Sequence, residues 1–446
     1  MIKDSYKLTA SDALAAIDSG RLSSVELVKS CLAQIEATDS TIKAWAFLDG
    51  DMALAQAAEC DRIRKAGLAT GPLHGIPVGL KDIIDTAEMP TQRGTPIFEG
   101  RQTDQSARLV ERLRDAGAVI MGKTVTTELA FVHANETRNP HDAGRSPGGS
   151  SSGSAAAVAA CHVPLSVGTQ TNGSVIRPAS FCGTFGFKPT RGVISRTGLL
   201  QTSVSLDQVG CFGRSLEDVA LLTDALGCYD QNDPVSFARP RPHMLAGAEA
   251  EVPVEPEFAW FDLPFNDRLA GDACDGLEAV LEILGPKVTR MLPADTLSNL
   301  VAVQARIHEY EIAHHQADVF DAHWDHISET LKPIISRARK ITKTEYEDAL
   351  EVKASAEAFF ANFFVDYDAI IAPAAAGEAP QFGAGTGDPI FCTLWTLAGL
   401  PCISLPLLVG ENGLPIGVQF IGPAEKDDRL LRTARWVQKY LSEAAE

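Results

Sequence analysis

The sequence lacks the features that mark secreted and membrane proteins. None of its apolar runs reaches the roughly 18 residues that a membrane-spanning helix needs. The first residues, MIKDSYKLTASDA, contain no apolar core of a secretion signal. The nine cysteines are scattered and include no C-x-x-C pair, which is typical of reduced intracellular thiols and not of a disulfide framework. We therefore expect a cytoplasmic protein that does not bind a membrane.

Positive charge is also scarce. The 446 residues include 39 Lys and Arg against 58 Asp and Glu, a formal net charge of −19, and no strong local basic patch. A nucleic-acid partner is therefore not expected. Apolar residues make up 45% and charged residues 22%, which is the balance of a soluble globular protein with a sizeable core. The expected partner is a small molecule or another soluble protein.

Helical and strand-like segments alternate along the chain. Ser23 and Glu26 form a predicted capping box at the start of an amphipathic helix. The apolar run GIPVGLKDI predicts a buried strand that carries Lys81, and SARLVERLRDAG followed by AVIMGK predicts a helix and then a strand. PCISLPLLV and PIGVQFIG predict paired strands. This alternation predicts an α/β fold with a mixed, twisted sheet between helix layers.

Three stretches depart from this alternation. Residues 146–192 are dense in Gly, Ser and Thr around an Ala-rich helix predicted at 154–160, which favours a tightly turned core segment over a linker. Residues 234–256 are rich in Pro and Ala and are expected at the surface. A more variable, helical region is expected over about 230–365, with a helical insertion near 295–365. Because no internal repeat is present, we expect one domain over residues 1–446.

Two short motifs match known sites without meeting their physical requirements. Residues 117–124, GAVIMGKT, fit the phosphate-binding pattern G-x-x-x-x-G-K-[ST], yet the interior Ala, Val, Ile and Met favour a strand over a flexible loop. Residues 149–153, GSSSG, fit the nucleophile-elbow pattern around Ser151, yet the preceding NPHDAGRSPG is polar and turn-forming. We therefore expect neither a nucleotide site nor an α/β-hydrolase elbow.

A third match extends over most of the chain. Its blocks, in order, are GIPVGLKDIIDT, GGSSSGSAAAVAACHVPLSVGTQTNGSVIRPASFCGTFGFKPTRG, LDQVGCFGRSLEDVALLTDAL, AGLPCISLPL and GLPIGVQFIGP. Together they resemble the amidase-signature family, and the resemblance is weakest from about 230 to 365. It implies a hydrolase that cleaves the linear C–N bond of an amide, or of a carbamate, through a Ser–Ser–Lys triad with no cofactor or metal.

The resemblance places the triad on three residues of this chain. The nucleophile falls on Ser174, the bridging serine, preceded by a cis peptide bond, falls on Ser150, and the catalytic lysine falls on Lys81. The chain departs from the family's common TDTGGSIR, because Gln170 stands in place of Asp and Asn172 in place of Gly. These departures leave the triad intact and put the substrate in question.

The residue types suit acyl transfer. A serine hydroxyl needs a base, and since no histidine partner is evident, a lysine whose pKa is lowered by burial can serve. Ser150 would pass the proton of Ser174 to Lys81 and return it to the leaving amine, because a hydroxyl both donates and accepts. The alternative is that these small residues only permit tight packing. The oxyanion hole is expected from the backbone N–H groups of Thr171, Asn172, Gly173 and Ser174.

Residues around the triad leave several alternatives open. Arg177 is either a bidentate clamp for a carboxylated substrate or a structural partner of a carboxylate or carbonyl groups. Trp395 either lines an acyl pocket or belongs to the core. The histidines between 308 and 326 lack the spacing of a metal site and belong either to the rim of the entrance or to a solvated helix. They are His308, His314, His315, His323 and His326.

Two other functions compete with a small-molecule amidase. One is the glutaminase component of a tRNA-dependent amidotransferase, which shares the triad and supplies ammonia to a partner subunit. The chain looks compact and lacks that family's typical C-terminal extension, which disfavours this function. The other is a non-catalytic binding protein on the same scaffold, which the complete triad disfavours. A homodimer is common in such families, although no sequence feature decides it.

Overall fold

The computed structural model describes residues 2–292, 297 and 299–444. One sheet runs through this part of the chain. Its strands are β1 (Trp45–Leu48), β2 (Pro77–Lys81), β3 (Val119–Thr124), β4 (Leu165–Gln170), β5 (Phe185–Lys188), β6 (Gln208–Gly213), β7 (Phe258–Phe261), β8 (Val288–Met291), β9 (Ala369–Pro373), β10 (Cys402–Val409) and β11 (Pro415–Ile421).

The sheet is mixed, as the sequence predicts. In the described residues its order is β1-β3-β2-β4-β6-β5-β10-β11-β9-β7-β8. Strand β2 is parallel to β3 and β4, and β7 is parallel to β8 and β9. The pairings β1–β3, β4–β6, β5–β6, β5–β10, β10–β11 and β9–β11 are antiparallel. The catalytic lysine predicted from sequence therefore ends a strand that is paired on both sides.

Helices cover both faces of this sheet. They are α1 (Ala10–Asp18), α2 (Ser24–Ile42), α3 (Gly50–Lys65), α4 (Arg108–Asp115), α5 (Ser152–Ala159), α6 (Ile176–Cys182), α7 (Leu216–Leu226), α8 (Met244–Glu249), α9 (Gly271–Leu284), α10 (Leu300–His315), α11 (Ala317–Ala322), α12 (Lys332–Ala338), α13 (Lys343–Phe363), α14 (Ile390–Leu397) and α15 (Asp427–Ala444). Short 3-10 turns lie at Ser5–Lys7, Pro96–Phe98, Glu128–Ala130, Asn266–Arg268, Gly285–Lys287 and Trp324–His326.

Successive residues of β7 and of β9 point to opposite faces of the sheet and pack into two different apolar cores. In β9, Ile371 packs in the larger core with α15, while Ile370 packs in a second core with α13 and α14. In β7, Trp260 and Phe261 divide in the same way. This follows from the alternation of side chains in a strand, and it explains why these strands are apolar throughout.

Most local predictions are confirmed, and two need correction. The capping box forms, with the Glu26 N–H donating to Ser23 Oγ and the Ser23 N–H donating to Glu26 Oε2. The segment 234–256 is not wholly irregular, because α8 lies within it and buries Met244 and Ala248.

The second correction concerns the variable region at 230–365. It is helical from α10 to α13, as expected for the insertion, but its earlier part is a β7–α9–β8 unit that extends the main sheet. Short strands of four residues carry little periodic signal, so the sequence pattern did not reveal β8.

Candidate active site

Lys81 lies at the end of β2 with its side chain fully buried. Its Nζ is 2.8 Å from Ser150 Oγ and 2.8 Å from Thr169 Oγ1. Burial lowers the pKa of Lys81 from 10.5 to about 7, because a low-dielectric environment disfavours the ammonium form. A lysine that is half neutral near pH 7 can accept a proton from the hydroxyl that it contacts.

Asp207 opposes this shift in the pKa of Lys81. Its negative charge raises that pKa, although less than burial lowers it. The carboxylate accepts hydrogen bonds from the hydroxyls of Thr171 (2.6 Å) and Thr202 (2.8 Å) and from the N–H groups of Thr202 (2.8 Å) and Ser203 (2.9 Å). These bonds satisfy Asp207 in its charged form and fix its position just before β6.

Asp82, although adjacent to Lys81 in sequence, is occupied elsewhere. Its carboxylate lies 3.5 Å from Lys123 Nζ in a buried ion pair. Burial raises the pKa of Asp82 to about 6 and lowers the pKa of Lys123 to about 8. Lys123 also donates to the Ile84 carbonyl and the Thr91 hydroxyl, at 2.6 Å each. Lys123 is the lysine of the GAVIMGKT match, and residues 119–124 form β3. The match is therefore a buried strand whose lysine is not free to hold a phosphate.

Ser150 is fixed by contacts on its backbone as well as on its hydroxyl. The Gly149–Ser150 peptide bond is cis, as the family resemblance implies. The Thr127 N–H donates to the Ser150 carbonyl at 3.2 Å. Ser151, the centre of the GSSSG match, is fully buried and donates to the Thr169 carbonyl at 3.1 Å. Ser150 therefore faces Lys81, whereas Ser151 is a structural serine and not an exposed nucleophile.

Arg177 is buried to 95%, and carbonyl groups occupy its guanidinium. One terminal nitrogen donates to the Gly387 carbonyl at 2.7 Å, and the other donates to the Gly149 carbonyl at 2.5 Å and to the Thr386 hydroxyl at 3.2 Å. Burial lowers its pKa to about 10, so it stays charged at neutral pH. The fork that would grip a substrate carboxylate instead holds the cis peptide group of Ser150, which favours the structural alternative for Arg177 over the substrate clamp.

Ser174 lies in the turn between β4 and α6 with its side chain partly exposed. Gln170 holds this turn, because its Oε1 accepts hydrogen bonds from the N–H groups of Val175 (2.8 Å) and Ile176 (3.0 Å). Its Nε2 donates to the Thr396 hydroxyl at 2.8 Å. An Asp at this position could accept the same two bonds but could not donate the third, so the departure from the family pattern adds a link to α14.

The backbone N–H groups predicted for the oxyanion hole are open to a ligand. In residues 2–292, 297 and 299–444, no protein group accepts a hydrogen bond from the N–H of Thr171, Asn172, Gly173 or Ser174. The carbonyl groups of the first two residues are bonded, to Gln304 of α10 and to Thr396 of α14 respectively. Loops with free N–H groups and tied carbonyl groups are suited to binding an anion.

Trp395 does not line a pocket. It is 1% exposed, its indole N–H donates to the Phe391 carbonyl within α14, and its ring packs against Phe261 and Phe360. The expectation of a substrate-facing tryptophan is therefore corrected to a core residue. The physical reason is that α14 buries its entire circumference between the sheet and α13.

The histidines of the insertion do not act together. His308 is buried edge-on against Phe131, and burial lowers its pKa to about 4. His314 stacks on Tyr310, one turn away. Within the described residues there is no group of three or more His, Cys, Asp or Glu side chains arranged to hold a metal. In the same residues, no helix combines the length and the apolar character that crossing a bilayer demands.

Three residues of the site were missed by sequence reasoning. Thr169 contacts Lys81, Asp207 sets its electrostatic environment, and Gln304 contacts the oxyanion loop. Asp207 could have been suspected, because it is a lone acid in the apolar block that begins at Leu206. Gln304 carries no such signal, since it lies in the variable region and reaches the loop only through the tertiary fold.

Comparison of the sequence with known proteins identifies the family of this chain. The model of the Amidase family matches residues 26–431. The GatA-type subunit of the glutamyl-tRNA(Gln) amidotransferase of Rhodopirellula baltica is 33% identical over an alignment covering 96% of each protein. The alignment spans almost all of that relative, so chain length does not separate this protein from such subunits. The expected difference at the C-terminus is therefore no evidence against that function.

Solved structures agree in fold. A chain of a vestigial protein complex that reveals the evolutionary origins of an s-triazine catabolic enzyme superposes with a TM-score of 0.91 at 29% identity, covering 97% of this chain and 98% of that one. The 6-aminohexanoate cyclic dimer hydrolase in complex with its substrate superposes with a TM-score of 0.87 at 26% identity, covering 100% and 99%. The chain therefore belongs to the amidase-signature family of hydrolases, which act on carbon–nitrogen bonds.

Proposed function

We propose that this chain hydrolyses a carboxamide through an acyl-enzyme on Ser174, with Ser150 as proton relay and Lys81 as base. The observation that carries the proposal is the contact of 2.8 Å between a fully buried Lys81 Nζ and Ser150 Oγ, together with a pKa lowered to about 7. Burying a lysine in this way is costly for the folded state, and catalytic sites are where such shifts concentrate.

The contact between Ser150 and Lys81 supports one half of the proposed proton path, and the family resemblance supplies the half from Ser174 to Ser150. Ser174 attacks the carbonyl carbon while its proton passes to Ser150 and the Ser150 proton passes to neutral Lys81. When the tetrahedral intermediate collapses, the proton returns through Ser150 to the leaving nitrogen, which departs as ammonia or an amine. Water then hydrolyses the ester along the same path. Thr169 Oγ1, which is also 2.8 Å from Lys81 Nζ, accepts an N–H of the neutral amine, which leaves the lysine lone pair for the Ser150 hydroxyl.

Two residues that could have selected the substrate, Arg177 and Trp395, are already bound by other parts of the protein. The preference for carboxylated amides rested on Arg177, whose terminal nitrogens are engaged by the carbonyl groups of Gly387 and Gly149. Trp395 would favour apolar or aryl substrates if it lined the acyl pocket, but it lies in the core with Phe391 and Leu394. Neither specific preference is supported by the geometry, and we propose a carboxamide substrate whose specificity is set by residues other than these two.

The test of the reaction uses two neighbouring serines. Ser150→Ala removes the contact with Lys81, whereas Ser151→Ala removes the bond that Ser151 Oγ donates to the Thr169 carbonyl and the bond that it accepts from the Thr169 N–H, and leaves the Lys81–Ser150 contact in place. We expect Ser174→Ala and Ser150→Ala to lose about 10⁴-fold or more of the amidase activity, as catalytic units do when one member is removed. Ser151→Ala should stay within roughly tenfold of the parent. Equal losses for the two neighbouring variants, or an active Ser174→Ala, would contradict the proposal.

A second candidate function is the glutaminase component of a tRNA-dependent amidotransferase. It is supported by 33% identity to the GatA-type subunit of Rhodopirellula baltica over 96% of both proteins. This similarity supports glutamine as acyl donor more directly than the fold likeness to the 6-aminohexanoate cyclic dimer hydrolase, at 26% identity, supports a free-standing small-molecule hydrolase. Both functions use the same triad and differ in the acyl donor and in the need for partner subunits.

The two candidates separate in one purification. The chain is isolated gently from its own cells, co-purifying proteins are identified, and ammonia release is measured from glutamine and from a panel of aliphatic amides, anilides, malonamate-like acids and an aryl carbamate. A stoichiometric partner together with glutamine-dependent ammonia release supports the amidotransferase function. If the chain is active alone on another amide and inert toward glutamine, the result supports the small-molecule hydrolase.

A further inference from the structure

Side chains of two neighbouring helices hold the loop that carries the oxyanion N–H groups, because they donate hydrogen bonds to its carbonyl groups. Gln304 Nε2 of α10 donates to the Thr171 carbonyl at 3.0 Å. The Thr396 hydroxyl of α14 donates to the Asn172 carbonyl at 2.5 Å. Three consecutive peptide groups are thereby tied, since the Arg177 N–H donates to the Gly173 carbonyl at 3.0 Å.

Fixing a carbonyl also fixes the N–H of the next residue. In a planar trans peptide the C=O and N–H bonds point in opposite directions, and the cis bond seen in the described chain is the one at Gly149–Ser150. The bond from Gln304 to the Thr171 carbonyl therefore turns the Asn172 N–H away from α10. By the same geometry, the bond from Thr396 turns the Gly173 N–H away from α14.

Asn172 strengthens this arrangement with its own side chain. Its Nδ2 donates to Gln304 Oε1 at 3.2 Å, and its Oδ1 accepts from the Thr393 hydroxyl at 2.7 Å. Gln304 is 2% exposed and Asn172 is partly exposed, so these bonds are partly shielded from bulk water. A glycine at this position could make neither side-chain bond.

We propose that Gln304, together with Asn172, is a positioning residue that aims the oxyanion-hole N–H groups, so that the helical insertion completes the catalytic machinery. The inference rests on the proposed function. It would explain how the oxyanion loop of this chain can have Asn172 where the family commonly has Gly. Helix α10 of the insertion then does more than border the entrance of the active site. Its Gln304 sets the direction of the Asn172 N–H, which donates to the oxygen of the reacting carbonyl.

The test compares two glutamines at opposite ends of the same helix. Gln316 lies at the C-terminus of α10, is also buried, and donates its Nε2 to the Gln201 carbonyl at 3.0 Å, far along the helix from the loop. Gln304→Met and Gln316→Met thus each remove a bond from the same helix to a loop carbonyl, and Gln304→Met also removes the bond that Gln304 Oε1 accepts from Asn172. The probe is a fluorophosphonate, whose phosphorus bonds to Ser174 Oγ as fluoride leaves and the serine proton passes to Ser150.

The measured quantities are the second-order labelling rate constant, its pH profile and the melting temperature. Because loss of one oxyanion donor costs about 10²- to 10³-fold, we expect misdirection in Gln304→Met to slow labelling by about 10- to 100-fold. Gln316→Met should label within about threefold of the parent. The acid limb of the pH profile, which is the fall in labelling rate as Lys81 becomes protonated, should lie at the same pH in both variants, since neither changes the contacts of Lys81.

A double-mutant cycle keeps the inference falsifiable if Gln304→Met is less stable than its control. Asn172→Gly should slow labelling in the parent and have a smaller effect in the Gln304→Met background, because the bond to Gln304 is already absent and only the bond from Thr393 remains to be lost. Equal slowing by Gln304→Met and Gln316→Met, or additive effects in the cycle, would overturn the inference while leaving the triad in place. Labelling of Ser174→Ala at the parent rate would instead remove the proposed function itself.

Discussion

The pKa of Lys81 makes the pH dependence of Ser174 reactivity the sharpest test of the site. The reaction requires neutral Lys81, and burial lowers its pKa from 10.5 to about 7. Below pH 7 the base is increasingly protonated, so the labelling rate with a fluorophosphonate should fall about tenfold per pH unit. Above pH 7 the rate should approach a plateau.

The expected amplitude follows from the neutral fraction of the lysine. With a pKa of about 7, roughly 1% of Lys81 is neutral at pH 5 and roughly half at pH 7. A lysine with an unshifted pKa would still be rising in reactivity through pH 10. The position of the limb therefore reports the net effect of burial and of the opposing Asp207 charge, and the shift corresponds to about 5 kcal/mol of preference for the neutral form.

Asp207→Asn tests the opposing electrostatic contribution. Asp207 raises the pKa of Lys81, so its neutralisation should lower that pKa and move the acid limb to lower pH. The matched control is Thr202→Val, which removes a hydroxyl bonded to the same carboxylate without changing charge and should leave the limb in place. Asn can keep its amide oxygen on the Thr202 and Ser203 N–H groups, but its NH₂ then faces the Thr171 and Thr202 hydroxyls, which must accept instead of donate, so some loss of stability is expected.

Rates are measured from pH 5 to 9 with purified parent, Asp207→Asn and Thr202→Val, and Ser174→Ala supplies the blank. A profile that is flat over this range would refute Lys81 as the titrating base. A limb that moves upward, or does not move, in Asp207→Asn would refute the electrostatic role of Asp207.

Three further predictions concern buried residues around the site. Arg177→Lys should lower activity at least tenfold toward neutral and acidic amides alike, because one ammonium cannot bridge the Gly387 and Gly149 carbonyl groups; a loss confined to acidic substrates in the kinetic screen would restore the clamp. Trp395→Ala should cost about 3–5 kcal/mol of stability, seen as a lower melting temperature, with the ranking of substrates unchanged. Lys123→Met should destabilise by a similar 3–5 kcal/mol, since Asp82 is left buried and unpaired, without moving the acid limb; a limb that shifts would mean that Lys123 takes part in catalysis.

Much of the fold was predictable from local pattern. The capping box at Ser23, the strand that carries Lys81 and the paired strands β10 and β11 depend on neighbouring residues and on burial, so periodicity and end signals identify them. Strand β8 escaped detection, because it is a four-residue strand whose place in the sheet depends on pairing with β7. Propensity in so short a segment is weaker than the tertiary pairing that fixes it.

The sequence by itself determined the family and the chemical types at the site, because a nucleophile, a relay hydroxyl and a buried base are properties of residue identity in recognisable blocks. Tertiary structure alone decided their partners. Arg177 could equally serve a substrate or a carbonyl group until the fold placed Gly149 and Gly387 around it. Asp207 acts on Lys81 and Gln304 acts on the Thr171 carbonyl across long sequence separations. Electrostatic fields and hydrogen bonds depend on distance in space, and only packing brings such groups within reach.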